Sequence, residues 1–128
     1  MTTEVRIYDS EKDRAQVDSW CQDWNMRTFP SQWLPQAGFI VEGVAAMWLY
    51  LTDSKVALLE NVISNPKASL DDRDAALDAI GSAAEQYARD LGYKYILGSS
   101  SIQPILDRAK RHGYQILPPS QQIVKELV

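Results

Sequence analysis

The apolar run Val56-Ala57-Leu58-Leu59 leads through Glu60 to Val62-Ile63 and stops at Ser64-Asn65-Pro66, and the segment beyond it decides the fold. Ser69 opens a helix whose apolar positions are Leu70, Leu77, Ile80, Ala84, Tyr87 and Leu91. These positions fall three, four or seven residues apart, so they share one face of a 3.6-residue helix. Gly92 stands just past the last of them, where a helix C-terminus needs positive φ. Tyr93-Lys94-Tyr95-Ile96-Leu97 then reads as a returning strand. Strand, crossover helix and strand make a βαβ unit, and its two strands are predicted to be parallel neighbours.

Working outward from this unit, Val5-Arg6-Ile7-Tyr8 alternates as a short half-buried strand. Asp9-Ser10-Glu11 supplies cap and first turn for a helix to about Trp24, with Val17, Trp20, Cys21 and Trp24 as its apolar stripe. Cys21 reads better as a small buried residue on that stripe than as a nucleophile. Residues 25–37 lose all periodicity, because Pro30 and Pro35 interrupt them. Phe29, Trp33 and Leu34 in this loop either roof the core or line a pocket, and the first reading is preferred. Residues 38–43, 44–52 and 55–63 are expected as a three-stranded meander, with the nearly all-apolar middle strand covered on both faces. Beyond the βαβ unit come polar Gly98-Ser99-Ser100-Ser101, a helix presenting Ile102, Ile105, Leu106 and Ala109, and a stop at His112-Gly113. Tyr114-Gln115-Ile116-Leu117 is expected as a sixth strand and residues 122–127 as a seventh, separated by Pro118-Pro119. No repeat or linker divides the chain, so residues 1–128 are read as one domain.

The chain has 128 residues, 45% of them hydrophobic, and a net charge of −4 without any Lys/Arg run. That balance argues against nucleic-acid binding, which needs a basic face to displace counterions. No stretch reaches membrane-span length and no signal-peptide pattern opens the chain. A single cysteine excludes an internal disulfide, so a soluble cytoplasmic protein is expected. The single histidine, His112, has no His or Cys near it in sequence, and no metal site is expected.

The order β-α-loop-β-β-β-α-β-α-β-β resembles the GNAT superfamily of acyl-CoA-dependent N-acetyltransferases. So do Asn65-Pro66 after the fourth strand, Arg73-Asp74-Ala75-Ala76-Leu77 in the long helix, Leu91-Gly92-Tyr93 at its end, and Arg111-His112-Gly113-Tyr114 closing the next helix. The resemblance implies an α/β (α+β) fold with a mixed central sheet of six to seven strands and helices on both faces. It also implies acetyl-CoA between the splayed fourth and fifth strands, with pantetheine along Val62, Ile63 and Ser64. The pyrophosphate would then sit on the loop and helix start formed by Lys67, Ala68, Ser69 and Arg73. Free N–H groups and the helix dipole attract anions there, and glycines let a backbone come close.

The chain departs from the family in two places. The family's phosphate loop has the pattern Q/R-x-x-G-x-G/A, whereas Pro66-Lys67-Ala68-Ser69-Leu70-Asp71-Asp72-Arg73 contains no glycine. Ser69 and Asp72 form an S-x-x-D capping pattern instead, and Asp71 with Asp72 would repel a phosphate. Lys67 and Arg73 would offset that repulsion if they turned toward the ligand. Where many family members have a tyrosine that protonates the departing thiolate, this chain has Ala109. Glu60 is the carboxylate placed as a general base would be, on the same face as Leu58 and Val62. A lysine-paired, partly exposed Glu60 is the plainer reading. Ser99, Ser100 and Ser101 are expected to cap the following helix.

Two functions remain open at this level. One is a degenerate GNAT-like binding or structural module, resembling short motif-poor bacteriophage proteins that include virion components. The other is an acetyl-CoA-dependent transferase acting on a primary amine, with Glu60 as base. Of the four tryptophans, Trp20, Trp24 and Trp33 lie close together in sequence, which suits a protein partner docking on this loop.

Overall fold

The computed structural model describes residues 3–127. Five strands form one sheet in the order β1-β2-β3-β4-β5: β1 (Arg6–Ile7), β2 (Gly38–Val41), β3 (Ala45–Tyr50), β4 (Val56–Ser64) and β5 (Tyr95–Gly98). The first four pair antiparallel, and β5 lies parallel to β4, as the βαβ reading requires. Three α-helices accompany them: α1 (Ser10–Asp23), α2 (Leu70–Asp90) and α3 (Gln103–Arg111).

β3 lies between β2 and β4, and Ala45 through Leu49 are all buried, so its continuous apolar run has cover on both faces. On one face α1 brings Val17, Trp20 and Cys21 against Ile40, Ala46, Trp48 and Ile63. On the other, Ala76, Leu77, Ile80, Ala84 and Ala88 of α2 meet Phe39, Val41, Met47, Leu49 and Ala57. Each of the larger of these side chains, fully buried, contributes about 1.5–3 kcal/mol. Cys21 is completely buried and burial pushes its thiol up, which disfavours the thiolate a nucleophile needs. Phe29 and Leu34 pack onto the α1-side core, Phe29 edge-on to Trp48 at 5.7 Å, so this part of the irregular loop roofs the core. Trp33 is the exception and stays exposed.

The ends of the long helix agree closely with the sequence reading. Ser69 is the N-cap, its Oγ accepting from the Asp72 N–H at 3.0 Å, and Gly92 adopts φ +92° past the C-cap. Leu70 and Leu91, at the two ends of the helix, nevertheless lie outside the core.

The C-terminal strands are a correction. Among the described residues the sheet has five strands, and neither residues 114–117 nor residues 122–127 join it. A strand needs a ladder partner as well as alternation, and β5 is the edge strand at that end. Gly113 turns the chain at φ +90°, while Pro118 and Pro119 together remove two donors that a ladder would use. Tyr114, Gln115 and Leu117 instead wall a groove of about 610 Å³ beside β5. Burial there pushes the Tyr114 phenol up to about 12. α3 is tied to α2 by Arg108, which donates to Asp74 and Asp78 at 2.7 Å each, and by His112, 3.0 Å from Asp78. No described helix is long and apolar enough to cross a membrane, and no described cluster of three or more His, Cys, Asp or Glu is arranged to hold a metal.

Candidate functional site

β5 pairs with Val56, Ala57, Leu58 and Leu59 and stops, whereas β4 continues to Ser64 along β3. The sheet therefore opens at residues 60–64 of β4. Asn61 marks the opening: it adopts φ +62°, and three steps along β4 from Glu60 to Ile63 match two along β3 from Trp48 to Ala46. This is a β-bulge, and asparagine tolerates the left-handed conformation that it needs.

The bulge corrects the facing predicted for Glu60. Leu58 and Glu60 lie opposite Tyr50 and Trp48 on the α1 side, but one extra residue sends Val62 to the α2 side. Among the described residues Glu60 makes no ion pair with a lysine. Its carboxylate accepts from the Ser99 hydroxyl at 3.2 Å and from the Ser99 backbone N–H. Ser99 thus serves Glu60, while Ser100 accepts from the Ile102 N–H at the start of α3. Burial raises the Glu60 carboxyl above its ordinary range, against the lowering effect of Ser99. Close by, the Asn61 amide donates to the Tyr50 hydroxyl, which donates to the Trp33 carbonyl at 2.6 Å. The Tyr50 phenol is raised by burial and is already engaged. Ala109 on α3 brings no acidic side chain to the site.

A raised carboxyl fixes the sign of one prediction. The neutral form of Glu60 is the better tolerated one in the fold, so its contribution is fully present below the ordinary value of 4.5 and is lost as pH rises through the folded value. Glu60→Gln, permanently neutral, is expected to raise Tm at about pH 7, with the gain shrinking toward about pH 4. A lower Tm at neutral pH would mean that the Glu60 charge supports the fold.

The remaining predicted residues do come together, at the far end of the opening. Ser64 ends β4, Lys67, Ala68 and Ser69 form the loop, and Arg73 sits in the first turns of α2. The loop N–H groups, however, are turned inward. Asn65 accepts from the Lys67 N–H at 3.0 Å through its side chain and from the Ala68 N–H at 3.1 Å through its carbonyl, and Ser69 holds the Asp72 N–H. Both basic side chains reach toward the end of α1. Lys67 lies 3.6 Å from Asp23, and the Arg73 guanidinium lies 5.8 Å from the centre of the Trp24 ring.

Trp24 is legible in the sequence only as part of a helix stripe. It is instead the C-cap residue of α1, partly exposed, and its indole N–H donates to the Ser64 carbonyl at 2.6 Å. Its place in the helical spacing hides this role, as no local pattern distinguishes a core indole from one reaching over a strand end. Sequence reasoning likewise misses Asn65 as loop organiser and Asn61 as bulge, although both stand beside strand residues where asparagine is uncommon.

No protein-family model matches the chain, and no curated protein sequence matches it. Solved structures do resemble it. A transcriptional regulator from Bacillus halodurans C-125 superposes with a TM-score of 0.67 at 12% identity, over 95% of this chain and 99% of that one. A putative acetyltransferase from Agrobacterium tumefaciens str. C58 gives the same TM-score of 0.67 at 13% identity, with coverage of 95% and 99%. The aminoglycoside N-acetyltransferase AAC(6')-Iy, in complex with CoA, gives 0.56 at 12% identity over 97% of this chain and 100% of that one. Likeness at these identities is likeness of fold, and the fold is one that solved acetyltransferases share.

Proposed function

We propose that this chain is a GNAT-like module whose cofactor slot is closed from within and which acts by binding rather than by acetyl transfer. The observation that supports this most directly is the Trp24 indole on the Ser64 carbonyl, where a pantetheine amide would pair. Three other features agree with it. The N–H groups of Lys67, Ala68 and Asp72 are already held by Asn65 and Ser69, the two cations are turned toward α1, and Asp71 and Asp72 stand where a pyrophosphate would rest. The residues present do not fit acetyl-CoA.

The partner of such a module is a protein, docking on the loop that carries exposed Trp33 and Met26 beside Trp24. A structural role in a virion, or a role in the cytoplasm, both accord with this kind of binding.

Glu60 favours a second reading, an amine acetyltransferase, because a half-buried carboxylate of raised pKa beside the opening of the sheet is suited to accept a proton. Calorimetric titration of the whole chain with acetyl-CoA, with CoA alongside, separates the two. The binding reading expects no saturable heat up to about millimolar ligand. Micromolar binding would overturn it and turn attention to amine acceptors.

A further inference from the structure

The slot also has an edge that Trp24 covers only at the Ser64 carbonyl. Between residues 60 and 64, β4 is paired with β3 on one side only. Strand geometry shows which backbone groups face the slot. The Asn65 N–H bonds to the Val44 carbonyl on the β3 side, at 2.7 Å, so the groups of Ser64, one residue earlier, point the other way. The Trp24 indole N–H meets the Ser64 carbonyl from that side. An indole N–H is a neutral, planar donor much like a backbone amide, so this contact shows what kind of group the carbonyl accepts.

Charge narrows the occupant further. Asp71 and Asp72, in the first turn of α2, make no ion pair among the described residues, while Lys67 is engaged by Asp23. Glu60 adds a carboxylate at the inner end of the slot. Exposed Leu70 and Ile102 mark the starts of α2 and α3, which come after the slot-side ends of β4 and β5. We infer that the slot between β4 and β5 accepts an extended basic peptide from a partner protein, which adds to the free edge of β4, takes the Ser64 carbonyl in place of Trp24, and sets a cationic side chain toward Asp71 and Asp72. Strand addition of this kind gains affinity from main-chain hydrogen bonds and selectivity from the flanking side chains. Past the Asn61 bulge, the three regular residues Val62 to Ser64, at about 3.3 Å each, match about three residues of peptide backbone. The inference rests on the reading that acetyl-CoA does not occupy the slot.

The test is selection of a displayed random library of about ten-residue peptides against the whole chain, followed by titration of the enriched synthetic peptides. Enriched peptides are expected to be basic, free of central proline, and weakened at least about tenfold both by Asp71→Lys with Asp72→Lys and by raising salt from about 0.1 to 0.5 M. Amide hydrogen exchange should slow at Val62 and Ser64, whose N–H groups face the slot, on binding. Trp24→Phe, which keeps a ring but removes the competing N–H, should tighten binding. The inference is overturned if nothing is enriched, if acidic and basic peptides bind alike, or if protection appears at the Trp33 loop instead of β4. Acetyl-CoA is titrated separately, so the two readings fail independently. Strong cofactor binding removes the closed-slot reading, whereas silence from both ligands removes only the peptide.

Discussion

Asp13→Ala should destabilise the fold by about 3 kcal/mol, the lower end of what breaking a buried ion pair costs. Asp13 is fully buried and accepts four hydrogen bonds: from the Arg6 guanidinium at 2.8 and 2.6 Å, from the Asp9 N–H at 2.8 Å and from Gln16 at 3.0 Å. Removing the carboxylate leaves those donors without an acceptor. Arg6 keeps Glu42 at 3.0 Å and some water, which is why the upper end of the range is not expected. For a domain of this length the loss corresponds to a Tm lower by roughly 10–15 °C. A fall of under about 3 °C would mean that water and Glu42 replace the carboxylate.

The same group sets an acid limb. The Arg6 guanidinium holds the Asp13 carboxyl below the ordinary aspartate value. Its stabilisation is therefore present above about pH 4 and is lost as pH falls through the lower, folded value. Asp13→Ala should flatten that limb, which thermal unfolding at a series of acid pH values would show. The consequence reaches the slot: Gln16 holds the Gly43 N–H at 3.0 Å, so the Asp13 cluster fixes α1 against the β2–β3 turn. Fixing α1 also fixes Asp23 and Trp24 at its far end.

The βαβ unit is readable from sequence because periodicity, a serine cap and a glycine at positive φ all agree there. Features that depend on a partner distant in sequence are not. Asp13 sits in Glu11-Lys12-Asp13-Arg14, a charged stretch at the start of a helix, and nothing local points to its burial beneath Arg6. Gly38 looks like an ordinary strand start. A Cβ there would lie 2.4 Å from the Trp48 Nε1, so the residue is required by an indole ten positions away. The Asn61 bulge moves Val62 to the other face of the sheet, which strict alternation cannot foresee. At the C-terminus alternation points to strands that two prolines and a short edge do not allow. The departure of the phosphate loop is legible, since missing glycines and added aspartates are local. The inward turn of its N–H groups onto Asn65 is not.

The second large effect concerns that loop. Ser69→Gly combined with Asp71→Asn and Asp72→Asn is expected to strengthen acetyl-CoA binding by about tenfold to a thousandfold over the native chain. At about 4 Å, one carboxylate repels one phosphate charge by about 1 kcal/mol in water-like surroundings and about 4 at an intermediate dielectric. Each 1.4 kcal/mol is about tenfold in affinity. Ser69→Gly releases the Asp72 N–H for the anion at a cost of only a few tenths of a kcal/mol in the cap. Losing the two aspartates from the first turn costs α2 about 0.3–1 kcal/mol each, which packing of Leu77, Ile80 and Ala84 in the core can absorb. Calorimetry on both proteins reads the difference directly. Because the peptide inferred for the slot needs the same carboxylates, this variant should lose peptide affinity as it gains cofactor affinity. Opposite movement of the two ligands would identify Asp71 and Asp72 as the groups that choose between them. No gain for acetyl-CoA would remove electrostatic repulsion as the cause and leave Trp24 on the Ser64 carbonyl as the element that keeps the cofactor out.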